Sequence, residues 1–174
     1  MARKKGPDLS QILYLLKSIK EISDEIEWNE KPTNSGYLEG VVILYDQSGK
    51  SIPGLTLRCE VKKAINIDEI GYKFFLHQSH DRNNFRIFSL EVCGHNIISH
   101  RDKRKRETIY GPHYHIGCKQ YLGNDAIVRQ VKLLLKTDEF GRWLKRFLRH
   151  ANTKNGYDVP FPLEFDLFGN AVTV

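Results

Sequence analysis

The 174-residue sequence is poor in the features that announce most functional classes. It has three cysteines, Cys59, Cys93 and Cys118, widely spaced and with no CxxC pair. This excludes a cysteine-based zinc site and reads as reduced thiols packed as small hydrophobes in a cytoplasmic protein. No apolar run approaches the roughly 20 residues that span a bilayer. The basic start (Arg3, Lys4, Lys5) runs into Gly6-Pro7-Asp8 rather than an apolar signal core, so a non-secreted protein with no membrane partner is expected. There is no phosphate loop, GxGxxG fingerprint or GxSxG elbow, so nucleotide-dependent and serine-hydrolase chemistry have no support. RNA-recognition, KH and zinc-finger spacings are missing too, as are internal repeats.

What is present belongs to one folded unit. Hydrophobic residues make up 40% and aromatics 11%, values of a globular chain. The length suits a single domain over 1–174, with residues 1–7 as a flexible basic terminus. The formal charge of +6 leans toward nucleic acid or another polyanion as partner.

Hydrophobic spacing gives the elements. Leu9, Ile12, Leu13, Leu16, Ile19, Ile22 and Ile26 recur at three- and four-residue steps and predict a helix of about 18 residues, capped by Asp8 or Ser10. Strands are expected over 37–46, 55–62, 72–77 and 85–93, the last placing Phe88, Leu90 and Val92 on one face and Ser89 and Glu91 on the other. The polar stretch 94–110 reads as a loop, and 108–118 as a fifth strand. Ile127, Val128, Val131, Leu134 and Leu135 suggest a helix from Asn124 or Asp125. A second, capped by Thr137, carries Phe140, Trp143, Leu144, Phe147 and Leu148, and residues 161–174 read as a terminal strand. The expected fold class is α+β: an N-terminal helix, a mostly antiparallel sheet of about five to six strands, and two C-terminal helices.

Chemistry concentrates between His95 and Gly117. His113 and His115 form a His-x-His pair framed by Gly111-Pro112 and Gly117. On a strand, residues two apart share a face, so the imidazoles can divide acid and base work or ligate one metal. Tyr114 and Ile116 would point inward, leaving the pair on an accessible face. No Glu or Asp follows within the next several residues as a cupin-type metal site requires, and no metal or cofactor is expected. His95 and His100 are further imidazoles, with Glu91 or Asp102 as orienting carboxylates. Arg101, Lys103, Arg104, Lys105 and Arg106 form the densest basic run, and Arg142, Lys145, Arg146 and Arg149 line one face of the last helix. Both sets attract phosphates without sequence preference.

The strand FRIFSLEV, the Gly94-His95 step, the polar loop and Pro112-His113-Tyr114-His115-Ile116 followed by a helix resemble small bacterial proteins of toxin–antitoxin and mobile-element loci that carry a Pro-His-x-His signature. The segment from Gly111 to Gly117 is similar to the G-x-H-x-H-x-x-G segment of TumE-type toxins, with Pro112 where those have an acidic residue. The likeness covers residues 85–152. It implies a toxin or defence setting, a cognate antitoxin or host protein as partner, and His113, His115 and His95 as the motif histidines.

The expected function is metal-independent cleavage of RNA phosphodiesters. His113 and His115 would be base and acid, and Arg101, Arg104 or Arg106 would stabilise the developing charge, with Lys103, Lys105, Arg142 and Arg146 gripping the nucleic acid. The alternatives are a non-enzymatic nucleic-acid- or protein-binding module, such as a phage-encoded inhibitor or antitoxin-like partner, and a metal site of His95, His113 and His115.

Overall fold

The computed structural model describes residues 6–63, 70–81, 83–102, 106–132, 139–156, 159, 161–165 and 171–172. Among the described residues it is an α+β fold of three α-helices, α1 Leu9–Lys17, α2 Lys119–Leu122 and α3 Phe140–His150, and a large, mostly antiparallel sheet. The sheet has nine strands rather than five or six: β1 Lys20–Ile22, β2 Trp28–Glu30, β3 Tyr37–Tyr45, β4 Ser51–Lys62, β5 Tyr72–His80, β6 Asn83–Val92, β9 His113–Ile116, β10 Ile127–Gln130 and β11 Thr153–Asn155. Their order is β10-β9-β6-β5-β4-β3-β1-β11, with β2 added beside β3. Two small sheets stand apart, one of β7 Ile98–Asp102 with β8 Glu107–Tyr110, the other of β12 Glu164–Phe165 with β13 Ala171–Val172. Of the expected terminal strand, the described residues 164–165 and 171–172 pair with each other off the main sheet. Among the described residues no helix is long and apolar enough to cross a membrane.

Strands β3 to β6 are a meander whose alternation sorts residues between two faces. Leu57, Cys59, Phe74, Leu76, Phe88 and Leu90 fall on one side and are buried. Helix α3 Phe140–His150 lies across that side: Phe147 stacks on Phe88 with ring centroids 5.2 Å apart and meets Phe74 at 5.7 Å. Trp143 and Phe147 are fully buried, as the spacing of the helix's apolar residues foretold. Burying one such side chain contributes about 1.5–3 kcal/mol. The helix begins at Phe140, and its N-cap is Glu139; Thr137 lies outside the described residues, as do Leu134 and Leu135.

Two expected helices are shortened or replaced. Helix α1 is Leu9–Lys17, opened by an Asp8–Gln11 capping box and closed where Ser18 turns extended. Of the isoleucines beyond it, spaced for a helix, Ile22 is claimed instead by pairing with the far end of the chain. Lys20 to Ile22 run parallel to Thr153 to Asn155, Lys20 N–H donates to the Asn152 carbonyl, and Asn152 Nδ2 donates to the Lys17 carbonyl. Lys20 is fully buried, and its Nζ donates to the Leu15 and Ser18 carbonyls at 2.5 and 2.6 Å. The segment after Asn124 is a 3-10 turn over Gly123–Asp125 and then strand β10, not a helix. Ile127 and Val128 are β-branched, and an unpaired edge of β9 lies alongside them; four register pairs decide against the helical period.

Candidate functional site

The opposite face of the sheet carries the buried polar residues Glu60, Ser89, His113 and His115. Cross-strand register puts Ser89 beside His115 and Glu91 beside His113, with Phe75 and Lys73 next to those on β5. The histidine strand therefore pairs with β6, the strand expected over 85–93. Gly111 and Gly117 bracket β9 at φ +69° and +70°, the left-handed region that glycine enters without strain. A Cβ on Gly111 would come within 3.0 Å of the His95 Cα. Pro112, which has no N–H to donate, gives its carbonyl to the Val131 N–H at 2.8 Å.

The 94–110 segment is not a loop throughout, because β7 and β8 pair as a hairpin. His100 and Ile109 are register partners, so they share the side of the hairpin on which Ile109 is only 3% exposed. The hairpin is tied down by the Gly111 N–H to the Ile97 carbonyl and by Gln130 Nε2 to the Tyr110 carbonyl. His113 is 1% exposed and His115 6%, so the pair is buried rather than solvent-facing.

Three imidazoles converge there, with ring centroids 4.8 Å apart for His113 and His115, 5.3 Å for His100 and His115, and 5.9 Å for His100 and His113. The nitrogen each offers lies within 4.8 Å of the other two. Tetrahedral zinc, with bonds of about 2.0–2.1 Å, places its ligand nitrogens roughly 3.4 Å apart. His113 Nδ1 and His100 Nε2 are buried with no hydrogen-bond partner among the described residues. An orphaned buried group of this kind costs about 1–3 kcal/mol unless something completes it.

The electrostatics favour ligation over proton transfer. Burial, followed by the Arg86 charge and then His113, His100 and Lys119, pushes His115 down to about 2. His113 is also lowered, chiefly by burial, against the pull of Glu91 and a backbone hydrogen bond with Gly111. Metal-binding histidines must be neutral, whereas a general acid or base works best near the operating pH. Glu91 sits outside the three-nitrogen cluster, its Oε1 3.4 Å from His115 Nε2 and 3.7 Å from Arg86 Nη1. A carboxylate against the second nitrogen of a ligating imidazole fixes the ring's orientation.

The other expected residues are distributed differently. His95 lies in the exposed 94–97 turn, and the third imidazole beside the pair is His100. Arg101 and Arg106 are exposed on the hairpin; Lys103, Arg104 and Lys105, and the side chain of Asp102, lie outside the described residues. Arg142 and Arg146 belong to α3, which packs on the side of the sheet opposite the histidines, whereas Arg101 and Arg106 flank His100 on the hairpin. Sequence reasoning missed Arg86. Strict alternation puts it with Phe88, but a bulge at Ile87 makes Arg86 the partner of His77 and turns it toward Glu91. The three cysteines are free, Cys59 buried and the others half-buried.

Comparison with protein-family models, curated proteins and solved structures returned no match.

Proposed function

We propose that the chain binds a divalent transition-metal ion through His100, His113 and His115 and uses that centre to cleave phosphodiesters, RNA being the substrate that its charge favours. The observation that carries this reading is the convergence of three imidazole nitrogens within 4.8 Å, from buried His113 and His115 and half-buried His100. His100, His113 and His115 would hold such an ion, which when bound would supply Lewis acidity to the reaction. Glu91 orients His115 through its contact with Nε2, and solvent takes the proton released by the attacking water. The new P–O bond forms to the water oxygen, and the bond to the leaving ribose oxygen breaks, that oxygen taking a proton from solvent. Arg86 and Lys119 give the site a positive surround that draws a phosphate in. The toxin-type setting belongs to the same proposal, with a small partner protein holding the activity in check.

The test is metal content followed by activity. Untagged protein purified without chelator should carry about one equivalent of zinc or a neighbouring metal, and His115→Ala should carry almost none. Cleavage of single-stranded RNA should stop with EDTA and return with the metal. Chelator-resistant cleavage would restore the metal-free acid–base scheme. A chain that holds metal but cleaves no RNA would favour the binding-module reading. The basic outer side of α3, remote from the histidines, suits that reading best.

A further inference from the structure

We infer that the recess beside the histidine centre, walled by Phe75, His77, Arg86, Gln120 and Tyr121, is a subsite for the nucleobase of an RNA nucleotide. This rests on the reading of the centre as a phosphodiesterase and names where its substrate is recognised.

The recess measures about 270 Å³ and opens on the polar side of β5 and β6. Phe75 and His77, two residues apart on β5, stand with rings nearly parallel, 10° between planes and centroids 5.2 Å apart. Flat π faces of this kind accept a base whatever its identity. His77 is held neutral, pushed down to about 4 by burial and then by Arg58, Arg86 and Lys31, so it meets a base without a competing charge. Its Nδ1 and the Arg86 Nε are buried with no partner among the described residues, as polar atoms awaiting a ligand's edge would be. Asn84 and Gln120 at the rim add amide donors and acceptors.

Position ties the recess to the chemistry. Phe75 pairs with Ser89, and Ser89 with His115, so the ring platform and the centre are two strand spacings apart, roughly 10 Å. Arg86 lines the recess and also approaches Glu91 at 3.7 Å, bridging the two. One nucleotide laid across this face would put its base against Phe75 and His77 and a flanking phosphate at the histidines. Planar guanidinium geometry suits Arg86 to that phosphate or to the base face.

Titration of the zinc-loaded protein with ribonucleoside 5′-monophosphates, inorganic phosphate and a short oligouridylate, followed by calorimetry, tests this. Nucleotides should bind at least tenfold more tightly than phosphate, and the oligonucleotide more tightly still if the ligand is a strand. Phe75→Leu, which keeps the apolar volume, and Gln120→Ala, an exposed change, should each weaken nucleotide binding, the former about tenfold. Phosphate binding and zinc content should stay unchanged in both. Nucleotides that bind no better than phosphate, or a Phe75→Leu protein with undiminished nucleotide affinity, would overturn the subsite while leaving the metal centre standing. Nucleotide binding that depends on Phe75 in a chain that takes up no zinc would keep the subsite and sink the proposed centre instead.

Discussion

The two faces of the large sheet are made by alternate residues of the same strands, yet they handle burial in different ways. On the α3 side, Phe74, Phe88, Trp143 and Phe147 interlock as rings, and stability follows from apolar area removed from water. On the other side the buried groups are polar: Glu60 held by Lys31 at 2.6 Å, Ser89, His113 and His115. Burying such groups is unfavourable unless each finds a partner, and here several do not among the described residues. The histidine side thus keeps unsatisfied polar atoms, and the proposed centre uses them, whereas the helix side is apolar scaffold.

The comparison breaks most sharply at the ring stack. Phe147→Ala should cost about 3–5 kcal/mol in denaturant unfolding. The fraction that remains folded should still bind metal normally. If metal uptake falls in proportion to core stability, the two faces are not independent.

Stripping the metal comes next. Metal at a hundredfold excess over its dissociation constant should stabilise by about 2.7 kcal/mol, so chelator should lower the wild-type Tm. It should leave His115→Ala unchanged. Equal chelator effects on both proteins would mean that the histidines hold nothing.

Lys20 tests the helix side at its rim, where a buried cation is answered by carbonyls rather than carboxylates. Lys20→Met should destabilise by about 1–3 kcal/mol at pH 7, because the Leu15 and Ser18 carbonyls lose their donor. Burial pushes the Lys20 amine down to about 8 from an ordinary 10.5. Across that window the unfolded chain keeps a proton the folded chain has released, so wild-type stability should rise with pH between about 8 and 10.5. Lys20→Met should lose that rise, and its persistence would assign the effect elsewhere.

The smallest effect is expected from Arg142→Ala combined with Arg146→Ala. Both arginines lie on α3, away from the histidines, so RNA cleavage by the variant should match wild type, with at most a shallower salt dependence of binding. A large loss of cleavage would place the substrate path around the sheet edge and remove the distinction between the faces.

Much of this was legible in the chain itself. Period-two alternation in 55–62 and 85–92 sorted the sheet's faces, including Ser89 and Glu91 opposite Phe88 and Leu90, because a strand's side chains have nowhere else to go. The helical spacing of Phe140, Trp143 and Phe147 gave α3, and the glycines around the histidine pair marked a fixed backbone path. The α+β class followed from the order of such segments. What local pattern could not reveal was long-range pairing. Lys20 to Ile22 became a strand because residues 153–155 lie beside them, and Ile127 to Gln130 because β9 offered an open edge. The choice of His100 over His95 was equally tertiary. It depends on a hairpin folding back over β9, with His100 on the same side as the buried Ile109. A one-residue bulge at Ile87 then turned Arg86 toward Glu91 against its sequence parity. The sequence alone determined which residues were chemically able to act, since identity and local period are properties of the chain. Only the tertiary structure decided which of them meet and which are buried away from water, because register, bulges and hairpin packing arise between segments far apart in sequence.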